Sequence, residues 1–377
     1  MKWTISLLLL VFWSGLSAQA TTRGRVLDAA TDQALAYVQV AVAGTSRGTL
    51  TNEEGAFVIE AAARDTLYIS YLGYELRRIA VRDLANGTII RLQPQQFELP
   101  ELLVKAEDPY LYNLLRKCGQ VLRRAKQAEA KTYFEVSTNS DGQPVELVQC
   151  YYNATVRAAG VDRLDLKNGR VGLAAVGELN YVNLNTTRAL SLLDLARNSP
   201  QFPATPLQLG RKEMYREYIL RELPSAADDG LVRVFCLPRR DTVNFFGAEI
   251  WVDAENFNPV RVELRQRHLS RHPFVPILPG SELRDFHIEL SYTFVESGNQ
   301  PLLSYLELNY DLNLYHDRDV GQWRRTPFHT TGLVHCYDYE GAFKLPYFKY
   351  EGQYSDYRKI SFLPYNAVFW AQPQGLE

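Results

Sequence analysis

The fold of the first part of the chain is decided by two neighbouring stretches: Gly44-Thr45-Ser46-Arg47-Gly48-Thr49-Leu50-Thr51-Asn52-Glu53-Glu54-Gly55-Ala56-Phe57-Val58-Ile59 and Asp65-Thr66-Leu67-Tyr68-Ile69-Ser70-Tyr71-Leu72-Gly73-Tyr74. Short runs of β-branched and aromatic residues are cut by glycines at turn positions, which is typical of consecutive hairpins. Similar runs lie on both sides of these stretches. Residues 21–93 therefore predict a small β-sandwich of short strands.

The first stretch also contains the string Gly44-Thr45-Ser46-Arg47-Gly48, which matches the G-x-S-x-G pattern of a hydrolase nucleophile. That chemistry needs a strand before the serine and a helix after it, so that the hydroxyl stands above a sheet. Here a strand-and-turn sequence without helical periodicity follows. We interpret Ser46 as a hairpin-turn residue, and the sequence predicts no catalytic residue.

The same region resembles a known family, the carboxypeptidase regulatory-like domain. The resemblance lies in segments that occur in the family's order: Gly24-Arg25-Val26-Leu27-Asp28, Val38-Gln39-Val40, Thr51-Asn52-Glu53-Glu54-Gly55-Ala56-Phe57 and Ile69-Ser70-Tyr71-Leu72-Gly73-Tyr74. It implies a transthyretin-like (prealbumin-like) sandwich, named after a non-catalytic accessory domain of metallocarboxypeptidases. The domain is common in envelope proteins of Bacteroidota, so the resemblance implies a cell-envelope protein of that group.

Residues 1–20 have the pattern of a signal peptide: Lys2, an apolar run from Ile5 to Trp13, and small residues up to Ala20. The apolar run is shorter than the ~18–20 residues of a spanning helix. We therefore expect an exported protein that begins near Thr21, in the periplasm or associated with the outer membrane. A formal charge of −2 gives no reason to expect nucleic acid as a partner, and no later run predicts a transmembrane helix.

Residues 94–107 are interpreted as a linker, and residues 108–370 as a helix followed by an antiparallel β domain. Asp108 and Pro109 are typical of a helix start, and apolar residues at helical spacing extend the helix to Gln127. Strict alternation over 286–294 and 306–314 predicts long strands of a curved sheet. The fold class predicted is mainly β, with a small N-terminal sandwich, a linking helix and a larger curved antiparallel sheet.

Smaller signals are assigned within this second part. The pairs Asp141-Gly142 and Asn168-Gly169 predict hairpins, and helical inserts are expected over 189–197 and 211–223. Two segments, 110–133 and the end around Phe369-Trp370, resemble an uncharacterised Bacteroidota envelope domain that often follows the regulatory-like domain. Residues 247–265 resemble a repeat of periplasmic lipoprotein-carrier half-barrels.

Aromatic residues make up 12 % of the chain, and three of them, Trp251, Tyr292 and Tyr310, are candidates for ligand contacts. Aromatic residues at period two are more often core than ligand platform. No cofactor or metal is predicted: His268 and His272 are four residues apart, but the prolines after them indicate a loop. The cysteines leave both disulfides and buried free thiols open: Cys118, Cys150, Cys236 and Cys336.

These observations lead to a functional expectation with two alternatives. We expect a non-enzymatic envelope protein that binds or scaffolds envelope ligands or outer-membrane proteins. One alternative is a carrier that holds an apolar ligand inside the curved sheet. The other is an envelope hydrolase with a carboxylate site, for which the candidates are Glu249, Asp253, Asp285 and Glu289.

Overall fold

The computed structural model describes residues 20–85, 87–95, 108–175, 186–224, 230–240, 244–274, 280–317, 323–345 and 356–370. The predicted signal peptide before residue 20 and most of the predicted linker lie outside these ranges. The described residues form a small two-sheet unit and a larger unit built on one long sheet. This confirms the predicted fold class.

The small unit, here called the sandwich, contains seven short strands. They are β1 (Ala20–Asp28), β2 (Gln39–Val42), β3 (Gly48–Leu50), β4 (Ala56–Ala61), β5 (Thr66–Ser70), β6 (Arg77–Ala80) and β7 (Thr88–Leu92). One sheet has the order β4-β1-β7 and the other β3-β2-β5-β6. Apolar residues such as Val26, Phe57 and Ile69 are buried between the two sheets. The G-x-S-x-G string connects β2 to β3, which pair antiparallel, and Gly44 has φ of 68°. The hairpin interpretation is confirmed.

The large unit is a ten-stranded antiparallel sheet, here called the large sheet. Its strands are β8 (Ala128–Ser140), β9 (Gln143–Arg157), β10 (Gly160–Leu173), β11 (Tyr218–Leu223), β12 (Leu231–Pro238), β13 (Gly247–Asp253), β14 (Pro259–Leu269), β15 (Ser281–Ser297), β16 (Gln300–Asp317) and β17 (Trp323–Tyr337). The order is β10-β9-β8-β17-β16-β15-β14-β13-β12-β11. The last strand therefore lies inside the sheet, between β8 and β16.

Five helices accompany the sheet. They are α1 (Pro109–Arg124), α2 (Thr186–Leu192), α3 (Arg211–Glu217), α4 (Asp356–Ser361) and α5 (Ala367–Trp370). The Asp108 side chain caps α1 by accepting a hydrogen bond from the Tyr110 N–H at 2.8 Å. Leu114, Leu115 and Cys118 of α1 are buried with the alternating apolar residues of the sheet in one continuous core. The predicted first helix is confirmed. Within the described ranges, no helix is both long and apolar enough to cross a membrane.

Two local predictions are wrong, and a third is displaced, because the helix expected over 189–197 is α2, which begins at Thr186 and ends at Leu192. Asn168 and Gly169 are not a hairpin turn but lie inside β10, next to a register shift. A Cβ on Gly169 would come within 3.0 Å of Ile360 and 3.2 Å of Cys150, so the glycine is explained by close packing. At the predicted Asp141-Gly142 turn, in contrast, both residues have positive φ, as such turns require.

The second wrong prediction is the helix over 211–223. The helix ends at Glu217, and Tyr218 begins strand β11. The Tyr218 hydroxyl donates a hydrogen bond to the Phe246 carbonyl at 2.8 Å, which ties the start of β11 to the residue before β13 in the same sheet. Tertiary packing therefore overrides a helical sequence pattern at this edge.

Candidate functional site

The face of the large sheet opposite α1 carries a row of mostly polar side chains that crosses eight strands. Eight directly opposed residues on neighbouring strands form it: Glu249, Glu263, Ser291, Glu307, Leu333, Glu135, Gln149 and Arg170. Four of the eight are glutamates, and two of them, Glu249 and Glu263, lie directly opposite each other, where like charges destabilise a sheet. The glutamates of this face therefore need cations or hydrogen-bond donors nearby, which arginine side chains and backbone groups of the sandwich supply.

Arginines neutralise the β13–β14 end of this row. Glu249 is paired with Arg233, and Glu263 with Arg261 and with Arg265. Arg261 is 0 % exposed and Glu263 1 % exposed, so this is a buried charge cluster. Burial, and next the Glu263 charge, raise the pKa of Glu249 above its usual range. Buried ions of this kind are tolerated only with close partners.

The sandwich docks on the same cluster through the loop 71–74, which belongs to its family-like segment. Arg261 donates from its two Nη atoms to the carbonyls of Tyr71 at 2.8 Å and Tyr74 at 3.0 Å. The Leu72 N–H donates to Glu307 Oε2 at 2.6 Å. Three backbone groups of one loop are thus satisfied by two buried charged side chains, which fixes the loop on the sheet.

The sheet β3-β2-β5-β6 supplies further contacts. The Gln39 side-chain amide donates to Ser304 Oγ at 2.8 Å, and the Tyr305 hydroxyl donates to the Tyr37 carbonyl at 2.6 Å. All four residues of β2 are buried, because one face of the strand meets the sandwich core and the other meets the large sheet. The two units therefore share a buried interface.

A cavity of about 180 Å³ lies within this interface, here called the junction cavity. The sandwich contributes Tyr37, Tyr71 and Leu72, and the large sheet contributes the remaining lining residues. These are Glu135, Ser137, Tyr305, Glu307, Asn309, Thr331, Gly332 and Leu333. Glu135 and Glu307 lie on strands separated only by β17, so about 10 Å separates their backbones at ~4.8 Å per strand. Two carboxyl groups thus flank one small polar space.

Glu307 is a strongly perturbed carboxyl group in this cavity. Its side chain is 6 % exposed, and burial raises its pKa to about 8, although Arg261 acts in the opposite direction. Burial also raises the pKa of Tyr37 to about 12, so that hydroxyl stays protonated at neutral pH. A strongly perturbed carboxyl group in a cavity is a candidate for a functional site.

The three predicted ligand-contacting aromatics do not lie together. Trp251 lies on the polar face, where the guanidinium groups of Arg233 and Arg261 are 5.1 and 5.3 Å from its ring centroid. Tyr292 and Tyr310 lie on the opposite face, 1 % and 2 % exposed in the main core. A ligand-contacting role for these residues stays a prediction.

The candidate carboxylates of the hydrolase alternative lie in different local settings. Glu249 is in the buried cluster, and Asp253 accepts hydrogen bonds from backbone N–H groups of its own turn. Asp285 accepts a hydrogen bond from Asn313 at 2.8 Å, and Glu289 is paired with Arg265 and His287. Each is engaged with a different local partner.

The remaining reactive side chains are buried or dispersed. All four cysteines, which lie within the described ranges, are free and buried. Burial raises the pKa of Cys118 to about 12, as expected of an inert thiol. His272 stacks on Phe286 at 4.2 Å between centroids. Across the part of the chain that the structure describes, no group of three His, Cys, Asp or Glu is placed to hold a metal ion.

The sequence predicted Glu307 only as a polar residue of an alternating strand, and it made no prediction for Glu135. The alternation of Glu307 with Leu306 and Leu308 showed which face it lies on, but not that the sandwich covers that face. The signal that could have located the cavity is the Tyr-Leu-Gly-Tyr segment at 71–74, which combines aromatic residues with a tight loop. Its docking partner is more than 180 positions away in sequence.

Comparison with known proteins identifies the first unit. Residues 22–104 match the family model of the CarboxypepD_reg-like domain. This confirms, for that part of the chain, the resemblance seen in its glycine and aromatic pattern. The match covers the sandwich and continues into residues outside the described ranges. A search among curated proteins gives no match.

Among solved structures, the chain is similar to a DUF1329 family protein from Desulfovibrio piger, with 12 % identity over 60 % of this chain and 89 % of that one and a TM-score of 0.23. A domain from Vibrio parahaemolyticus, described as an outer membrane lipoprotein-sorting protein, has 9 % identity over 61 % and 92 % and a TM-score of 0.26. A LolA superfamily protein from Nitrosomonas europaea has 11 % identity over 60 % and 90 % and a TM-score of 0.21. Values this low support no statement about function.

Proposed function

We propose that this chain is an exported, non-enzymatic binding protein of the cell envelope, in which the sandwich and the large sheet together form the binding site. The observation that carries the proposal is the junction cavity, because both units line it and neither encloses it alone. The matched CarboxypepD_reg-like domain supports an accessory role. Export rests on the signal-peptide pattern of residues 1–20, and N-terminal sequencing should find a mature chain that begins near Thr21.

The carrier alternative gains no support from the apolar face of the large sheet. Its residues pack with α1 in a single core, and Leu290, Tyr292 and Leu308 are each no more than 2 % exposed. An apolar ligand would have to displace this packing, whereas the junction cavity already offers space. The binding proposal therefore places the ligand on the polar face.

The experiment is a thermal-shift screen of small polar compounds against the purified protein and a cavity-filled variant. Ser137→Phe adds a ring to the cavity wall and should remove binding. Ser297→Phe adds the same ring at the exposed end of β15, away from the junction cavity, and serves as the matched control. A ligand at 100 times its Kd stabilises a protein by about 2.7 kcal/mol. We expect compounds that raise Tm for the wild type and Ser297→Phe, but not for Ser137→Phe.

Two outcomes would contradict the proposal. One is that every stabilising compound acts equally on Ser137→Phe, which would place binding elsewhere. The other is that mass spectrometry finds a stabilising compound chemically converted after incubation, which would identify an enzyme. A ligand recovered unchanged and excluded by the cavity-filled variant supports the proposal.

A further inference from the structure

The junction cavity is lined by acidic and aromatic groups. Two carboxyl groups, Glu135 and Glu307, flank the space, and the rings of Tyr37, Tyr71 and Tyr305 complete the wall. No arginine or lysine is among the lining residues. Aromatic faces and carboxylates are the groups that recognise organic ammonium ions in proteins. The cavity therefore has the chemistry of a cation site rather than an anion site.

Glu307 adds an independent observation. It is 94 % buried, yet within the described residues its only hydrogen bond is the one that Oε2 accepts from Leu72 N–H. Its nearest cation, Arg261, is already engaged by Glu263 and by two carbonyls of the docked loop. A buried carboxylate without its own counter-ion is costly. A cationic ligand would supply the missing charge.

Glu135 faces the space from the other side. Its Oε2 accepts hydrogen bonds from the Tyr133 hydroxyl and from the Gln149 side-chain amide at 2.6 Å. Both partners are neutral, so they orient the carboxyl group without neutralising it. The two carboxyl groups thus lie at opposite ends of the cavity, and a cation between them would favour the ionised form of Glu307, whose pKa is raised to about 8.

We propose that the junction cavity binds a small organic cation, with an ammonium group held between Glu135 and Glu307 and against the tyrosine rings. This inference rests on the proposed function and names its ligand class. A space of about 180 Å³ corresponds to roughly six water volumes at ~30 Å³ each. The ligand is therefore of the size of a quaternary or primary alkylamine rather than a peptide or a glycan.

Isothermal titration calorimetry with choline, tetramethylammonium, ethanolamine and butylamine tests this inference. The matched neutral compound is 3,3-dimethylbutan-1-ol, which has the shape of choline without its charge. We expect at least one of these cations to bind. If choline binds, its neutral isostere should bind at least tenfold more weakly. Glu307→Gln and Glu135→Gln should each weaken binding at least tenfold. Glu289→Gln, on the same face but outside the cavity, should leave it unchanged.

The pH dependence gives a second readout. Glu307 faces Arg261 and Glu263 on β14, Glu135 on β8 and Tyr71 of the docked loop, and its pKa is raised to about 8. A cation binds the ionised form of Glu307, so the affinity for a quaternary ligand should rise about eightfold from pH 6.5 to 7.5. Glu307→Gln should abolish this rise.

The possible results distinguish failure of the cation proposal from failure of the proposed binding function. The inference is overturned if none of the four cations binds at 10 mM, if the neutral isostere matches choline, or if Glu289→Gln weakens binding as much as Glu307→Gln. If a neutral or anionic compound from the screen binds and Ser137→Phe excludes it, the proposed function stands while the cation inference fails.

Discussion

Glu307 shows how one buried side chain links the sheet to the docked loop. It accepts a hydrogen bond from the Leu72 N–H, and its neighbour Arg261 holds the carbonyls on either side of that loop. The sequence predicted only that Glu307 lies on the polar face of a strand. Its burial depends on a segment far away in the chain, which alternation within one strand cannot reveal.

The stability of the protein should depend on pH through Glu307. The carboxyl pKa is raised from 4.5 to about 8 on folding, so the folded state holds a proton that the unfolded state has lost. The contribution of Glu307 to the free energy of unfolding is fully present below pH 4.5 and is lost as the pH rises to about 8. The loss is at most about 5 kcal/mol, at about 1.4 kcal/mol per pKa unit.

Urea denaturation at pH 5 and pH 8 measures this effect. Glu307→Gln should lose less stability than the wild type between these two values, since its amide does not titrate. The control, Glu289→Gln, should keep the wild-type dependence between pH 5 and pH 8, because the His287 hydrogen bond lowers the pKa of Glu289 and its effect on stability falls below this range. Equal pH slopes for the wild type and Glu307→Gln would contradict the prediction.

At the scale of elements, α1 approaches the residue 206–208 turn closely at a glycine. A Cβ on Gly119 would lie 2.4 Å from the Leu207 carbonyl oxygen, and Arg123 donates to that same oxygen at 3.0 Å. Helical spacing predicted the apolar stripe of α1 and its Asp108 cap. It could not show why a weak helix former stands in mid-helix, because the reason is a contact outside the helix.

Gly119→Ala should therefore destabilise the protein, although alanine in place of glycine stabilises an exposed helix by about 1 kcal/mol. The clash with a backbone oxygen forces α1 away from its neighbour, and overpacking typically costs about 1–3 kcal/mol. Gly172→Ala is the matched control, because no atom lies within 4 Å of its added Cβ. Chemical denaturation would contradict this reasoning if Gly119→Ala proved as stable as the wild type.

At the scale of the whole molecule, the sandwich and the large sheet should unfold together. Their interface holds the Arg261 cluster, the Glu307 bond and the Gln39–Ser304 bond. The sequence predicts a domain boundary at residue 93, where the strand and turn pattern of the sandwich ends. The unit that unfolds cooperatively is larger than the sandwich alone, because buried charged groups of the large sheet are hydrogen-bonded to backbone groups of the sandwich.

Arg261→Ala should break this coupling. It leaves Glu263 and the carbonyls of Tyr71 and Tyr74 without their shared partner, at a cost of about 3–5 kcal/mol. Calorimetry should show one transition for the wild type, and a lower Tm with a separate sandwich transition for the variant. Arg284→Ala removes an exposed pair with Glu282 and should change stability by less than about 1 kcal/mol. Two transitions already present in the wild type would refute the coupling.

The position of β17 has a consequence for the order in which the chain emerges. Trp323–Tyr337 is the last of the described strands to be synthesised, yet it fills the gap between β8 and β16. A nascent chain that has not reached Trp323 presents two unpaired edges, 13 and 18 residues long. Open edges of that length pair readily with any extended polypeptide. Because β17 is synthesised late, the growing chain depends on protection from incorrect strand pairing until that strand has been made.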